Sequence, residues 1–272
     1  MINLLFSQPI VAAGAQPNQW AIFMHGLFGS GNDWKGVATR VVAERPEWGV
    51  ELVDLRLHGN SRGFHSPHTI ESCARDIHRL VNKKFGTAAQ VLLGHSLGGK
   101  LALVAGAAHE GFRQVWSVDS SPGPTFFKGM GWRIISALRV LPEFFTTREE
   151  AIEELIKCGL GKKTACWVAA NLQSSGTGFS WQWALEDLIS LRQDYVALNL
   201  WDVIENPPRE NLEIHLIQAE ESRVINKTAA ARIKRAAGRH KNIFFHSIAG
   251  VHAVHVKNQG GIVKLLASSL PF

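Results

Sequence analysis

The chain is poor in cysteine. Its three cysteines, Cys73, Cys158 and Cys166, are odd in number and show no Cys-x-x-Cys spacing. That excludes a disulfide framework, argues against a structural zinc site and fits a reducing compartment. No apolar run approaches the roughly 18 residues of a membrane-spanning helix. No internal repeat or low-complexity tract is present, which excludes solenoids and arrays. The first residues lack the basic region and long apolar core of a secretory signal, so a cytoplasmic protein is expected. Charged residues make up 19% of the chain against 46% hydrophobic, so it has a core to bury. The formal net charge of +6 comes from scattered lysines and arginines. One cluster, Arg232, Lys234, Arg235, Arg239 and Lys241, reads as the solvated face of a helix. No recognition motif accompanies it, so no nucleic-acid partner is expected.

Alternating patterns fill the rest. Apolar, β-suited runs at 20–25, 49–55, 91–94, 115–118, 212–218 and 242–248 read as strands. Helical spacing follows at 37–43, 68–84, 101–108, 225–237 and 261–270. Strands alternating with helices specify an α/β fold, a mostly parallel central sheet flanked by helices. The alternation stops between 125 and 205. That stretch reads as helices at 132–141, 148–158, 163–172 and 183–198, with no strand. The expected organisation is a core built from 1–124 and 206–272, with 125–205 as an inserted helical cap over the open end of the sheet. Five of the nine tryptophans, Trp132, Trp167, Trp181, Trp183 and Trp201, fall in the insertion and read as core more than as a substrate cage.

The most informative run is Gly94-His95-Ser96-Leu97-Gly98, entered from an apolar strand and left by a small-residue helix. Strand, tight turn, helix is the context that gives Gly-x-Ser-x-Gly its chemical meaning. The turn lifts Ser96 off the sheet edge, and the new helix aims its first N–H groups at the same point. A serine placed there can attack a carbonyl, provided a base takes its proton and a third group orients that base.

The base is expected in the loop after the last strand. His252 directly follows the strand-ending Gly250-Val251 and is favoured over His255. Two places are open for the acid. The loop 219–224 carries Ser222 where an Asp is expected, with Glu220 and Glu221 beside it. The strand 115–118 ends at Asp119. Both placements keep the chain order serine, acid, histidine. Asp119 is favoured, with Glu220 or Glu221 as alternatives. An oxyanion hole needs two backbone donors, and the N–H groups of Leu27 and Leu97 are the candidates. Phe28 and His95 are assigned to substrate contact; His25 and His95, which flank glycines at the sheet edge, also read as structural or pocket-lining. Asp54, Arg56 and His58 are expected to bond to one another and to the neighbouring turn.

These motifs, with His25-Gly26 before a glycine-rich loop and Asp54…His58-Gly59…Ser61, resemble the α/β-hydrolase superfamily over essentially the whole chain. Within it the sequence resembles the YbfF-type acyl esterases, through the run 25–30, the Gly99-Lys100 end of the turn, Asp119 before Pro122, and Ser222. It departs at Val251-His252, where Gly-His is commoner. The resemblance implies an α/β-hydrolase fold with a variable cap and an acid on the earlier strand. The expected activity is hydrolysis of short- to medium-chain carboxylic esters through an acyl-enzyme. No metal or organic cofactor and no partner beyond a small acyl ester are called for. Thioester or carbon–carbon bond hydrolysis on the same triad, or a non-catalytic binding protein of this fold, are the alternatives.

Overall fold

A computed structural model describes residues 3–125 and 129–271; residues 126–128, at the start of the expected insertion, lie outside it. Six strands run parallel: β2 (Gln19–Met24), β3 (Trp48–Val53), β4 (Ala89–His95), β5 (Gln114–Val118), β9 (Glu213–Ala219) and β10 (Ile243–Ile248). A seventh, β1 (Ser7–Ile10), lies antiparallel on the outer edge of β3, a strand the sequence reading lacks. The sheet order is β1-β3-β2-β4-β5-β9-β10. β3 and β5 are buried at every residue because both faces are covered.

Alternate strand residues feed opposite layers. Ile22, Leu92 and Val115 meet α2 (Ile70–Lys84), α3 (Leu97–Ala108) and α9 (Lys227–Ala237). Phe23, Leu93 and Trp116 meet α1 (Lys35–Glu44) and α11 (Gln259–Ser269), with the short α10 (Val254–Lys257) before it. α2 starts where the Thr69 hydroxyl accepts the Ser72 N–H, and α9 where Asn226 accepts from Ala229.

Chain order sets the site. From β2 the chain goes outward to β3, then crosses back to β4 on the other side of β2. The loops after β2 and β4 therefore part at the sheet's carboxyl edge, and the crevice between them is where open α/β sheets bind ligands.

Between β5 and β9 the chain forms α4 (Met130–Leu138), β6 (Phe144–Phe145), α5 (Arg148–Lys157), α6 (Lys162–Ala169), β7 (Leu172–Ser175), β8 (Gly178–Trp181), α7 (Leu185–Ala197) and α8 (Trp201–Glu205). The sequence reading has helices alone here, and this is corrected: β6, β8 and β7 make a three-stranded antiparallel sheet. The helix expected at 163–172 stops at Ala169 because Asn171 closes it, its side-chain amide donating to Val168 O at 3.2 Å. Gly176, at φ +60°, then turns a tight hairpin between Ser175 and Gly178. Ile135, Phe145, Leu155, Val168 and Trp183 form the apolar core of this segment. Trp183 is buried in it, with Trp181 stacked at 6.0 Å, whereas Trp167 is exposed. Among the described residues no helix is long and apolar enough to cross a membrane.

Candidate active site

Ser96 links β4 to α3 with φ +54° and ψ −112°, a conformation that costs a non-glycine residue about 1–3 kcal/mol. The sharp turn brings backbone against backbone. A Cβ on Gly94 would lie 2.0 Å from Gly98 O, and one on Gly98 would lie 2.6 Å from His25 O. No backbone can yield that much, so Gly94→Ala is expected to cost more than about 4 kcal/mol and to leave little soluble protein. Gly161→Ala, with nothing within 4 Å of its added carbon, is the control and should change the urea midpoint little.

Asp119 ends β5 in another strained conformation, φ +45°, and is fully buried. Its N–H donates to Ile217 O at 2.7 Å, and its Oδ1 accepts from Ala219 N–H at 3.1 Å. Its Oδ2 lies 2.6 Å from Nδ1 of His252, on the loop after β10. The pairing leaves Nε2 as the nitrogen of His252 not engaged by Asp119. Glu220 and Glu221 are elsewhere and exposed; Glu220 accepts from Ser247 Oγ at 3.0 Å.

His95 holds that loop. Its Nε2–H donates to His252 O at 2.8 Å, and its ring lies 4.5 Å from that of His252 and 4.1 Å from that of His255. That bond commits the Nε2 edge of His95 to the histidine loop, the structural role the sequence also allows it. His255 is buried between His95 and Trp34, 4.8 Å from the indole, and burial pushes its pKa down to about 3. Asp119 pairs with His252, not His255.

The loop after β2 forms the other wall. A Cβ on Gly26 would lie 3.4 Å from Ser96 Cβ, which puts Leu27, the next residue, beside the serine. Leu97 opens α3, where N–H groups have no intrahelical acceptor. Phe28, at φ +67°, turns its ring into the inserted segment's core, 5.6 Å from the Trp183 ring, and is 1% exposed. Its assignment to substrate contact gives way to packing. Its N–H donates to His58 Nε2 at 3.1 Å, and its C=O accepts from Asn171 at 3.0 Å, so this one residue ties sheet, loop and insertion together.

Histidines beneath the loops are neutral by construction. His25 Nδ1–H donates to Gly26 O at 2.7 Å while Nε2 accepts Leu55 N–H at 3.0 Å. His58 donates to Arg56 O at 2.9 Å and accepts from Phe28. Each ring needs one bare nitrogen, and burial drives the pKa of His25 to about 4 and of His58 to about 3. Burial, then the nearby His255 and His252, also hold His95 well below its ordinary value. Asp54 accepts from Gly31 and Asn60 N–H groups, and Arg56 pairs with Asp76 at 2.6 Å. The trio Asp54, Arg56 and His58 is structural, as the sequence reading has it: within it His58 bonds the Arg56 carbonyl, while the Asp54 carboxylate turns to backbone N–H groups and the Arg56 guanidinium to Asp76.

Two residues were not foreseen. The hydroxyl of Tyr195, on α7, lies 3.4 Å from Ser96 Oγ. Lys100, on α3, is fully buried and donates to Tyr195 O at 2.9 Å and Leu198 O at 2.8 Å. Among the described residues Tyr195 is the hydrogen-bond partner of the Ser96 hydroxyl, which makes no bond to His252 in this state. Such bonds are commonly long before substrate is bound. No cluster of three His, Cys, Asp or Glu side chains suited to a metal ion occurs among the described residues.

The alpha/beta hydrolase family model matches residues 21–259. The sn-1-specific diacylglycerol lipase ABHD11 of Danio rerio is 27% identical over 194 residues, covering 69% of this chain and 60% of that protein. The mouse (Mus musculus) protein of the same name is 33% identical over 175 residues, 61% of this chain and 55% of its own length. The chain thus spans well under two thirds of these relatives. A solved marine microorganism esterase superposes with a TM-score of 0.84 at 21% identity, over 99% of this chain and 100% of its own.

Proposed function

The chain belongs to the alpha/beta hydrolase family, and on that premise we propose that it is a serine esterase acting on short- to medium-chain carboxylic esters. The observation that carries the reading is the His252–Asp119 contact of 2.6 Å beside a serine on a positive-φ turn. Ser96 Oγ attacks the acyl carbon and His252 Nε2 takes its proton. Asp119 keeps the ring oriented and stabilises the imidazolium. The Leu27 and Leu97 N–H groups receive the negative oxygen of the tetrahedral intermediate. His252 then returns the proton to the departing alcohol, and water repeats the sequence on the acyl-enzyme. The segment 125–205 acts as the cap that shapes the acyl pocket. The lipase named among the relatives cleaves an ester of glycerol, which supports an oxygen ester as the substrate.

A fluorophosphonate probe should label the protein once, at Ser96, and leave Ser96→Ala unlabelled. In a matched panel, p-nitrophenyl butyrate should be turned over faster than a butyryl thioester. A silent serine would make this a binding protein of the fold, and preferred thioester cleavage would change the reaction class.

A further inference from the structure

Tyr195 is buried, comes from the inserted segment, and faces the nucleophile. Its O–H to Oγ distance of 3.4 Å is longer than the roughly 2.5–3.0 Å of a good O–H···O bond. The serine therefore holds this phenol weakly, and its proton is available to a better acceptor. Burial raises the phenol pKa, with the Ser96 and Ser120 hydroxyls pulling against it, so the group remains a donor.

Its position is fixed from the core. Lys100 clamps the Tyr195 and Leu198 carbonyls, and its Nζ lies 5.1 Å from the Tyr195 ring centre. Thr125 N–H donates to Val196 O at 2.9 Å, and Leu200 N–H to Pro122 O at 2.8 Å. The end of α7 is thus bolted to the nucleophile's own helix and to the turn after Asp119.

In a reactive pose the acyl carbon stands about 3–3.5 Å from Oγ, so the phenol borders the reacting group. Three substituents surround that carbon. Its oxygen faces the Leu27 and Leu97 N–H groups, and its leaving group must reach His252 for a proton. The acyl chain remains for Tyr195. We infer that Tyr195 is a specificity-determining residue whose O–H bonds an oxygen atom on the acyl chain close to the ester carbonyl. The site then selects alkoxy-, hydroxy- or oxo-acyl esters over aliphatic esters of the same shape. An all-carbon chain would leave this buried donor nothing better than the Ser96 and Ser120 hydroxyls, a loss that sites built for hydrogen bonding penalise by about tenfold or more. The inference rests on the serine-esterase reading.

The test compares p-nitrophenyl methoxyacetate with p-nitrophenyl butyrate, which differ by one ether oxygen in place of a CH2. Tyr195→Phe keeps the ring and removes the donor. The ratio of kcat/KM for methoxyacetate over butyrate should fall at least tenfold in the variant. The intrinsic reactivity of the alkoxy ester is common to both enzymes and cancels. An unchanged ratio, including an equal fall on both esters, would overturn the inference. So would a change confined to an aryl-versus-alkyl leaving-group series. Fluorophosphonate labelling separates the two levels: a labelled Ser96 with an unchanged ratio sinks the tyrosine alone, whereas an unlabelled serine sinks the esterase reading with it.

Discussion

Replacing Ser96 by alanine should lower kcat on p-nitrophenyl butyrate by about a million-fold, and Asp119→Asn by about ten-thousand-fold, with both variants folded. The aspartate case follows from hydrogen-bond direction. Asp119 accepts on both oxygens, from Ala219 N–H and from His252 Nδ1. An asparagine can still offer its carbonyl oxygen to Ala219, so the strand end keeps its bond. Its NH2 group then points at His252, forces Nδ1 to accept, and moves the ring proton to Nε2. The histidine presents a proton to the serine instead of a lone pair. Glu220→Gln and Glu221→Gln, both at exposed positions, should change kcat less than twofold. The double variant Ser96→Ala/Asp119→Asn should be no slower than Ser96→Ala alone, because the residues act as one unit. A Ser96→Ala protein that keeps its rate, or a Glu220→Gln protein as impaired as Asp119→Asn, would end the assignment.

What could be read from the sequence follows the range of the interactions involved. The inner parallel strands were legible because both faces are largely buried, which writes a continuous apolar run. The turn at Ser96 was legible because steric closure demands glycine at 94 and 98 and leaves a local signature. Asp119 was favoured because Ser222 fills the later slot where an Asp is expected, and a contact 133 residues away in sequence stands behind it. β1 was missed because an edge strand of four half-exposed or exposed residues carries no apolar run. The hairpin at 172–181 lies between the helices read at 163–172 and 183–198, where the sequence reading has no strand, although Gly176 between two short segments was its signal. Tyr195 had no local signature, whereas Lys100 had one, the lone charge in the otherwise apolar run 97–108. What each touches is set only when the insertion is folded back over α3. Phe28 and His95 were assigned to substrate by proximity to the motif; which way their side chains turn is decided by Trp183 and by the loop of His252, both distant in sequence.

Folding stability should fall steeply as the pH drops from about 7 to 5, before most carboxylates protonate. His25, His58 and His255 are buried with pKa values near 4, 3 and 3, against an ordinary value of 6.5, and His95 is displaced in the same direction. A depressed folded-state pKa means that the unfolded chain binds protons which the folded chain refuses. The stabilisation is therefore complete above pH 6.5 and is lost progressively as the pH falls toward the folded-state values. At pH 5 each such imidazole contributes a loss of about 2 kcal/mol, so the three with assigned values remove about 6 kcal/mol. That is comparable to the roughly 5–15 kcal/mol that holds a whole domain together. Urea denaturation at pH 7.5, 6 and 5 measures this directly. Below pH 6 the slope should be about 4 kcal/mol per pH unit. His255→Phe, which fills the same space beside Trp34 without a basic nitrogen, should reduce that slope by about one proton. A stability that stays level from pH 7.5 to 5 would show that these rings accept protons in the folded protein, and the neutral hydrogen-bond scheme joining Gly26, Leu55, Arg56 and Phe28 would have to be redrawn.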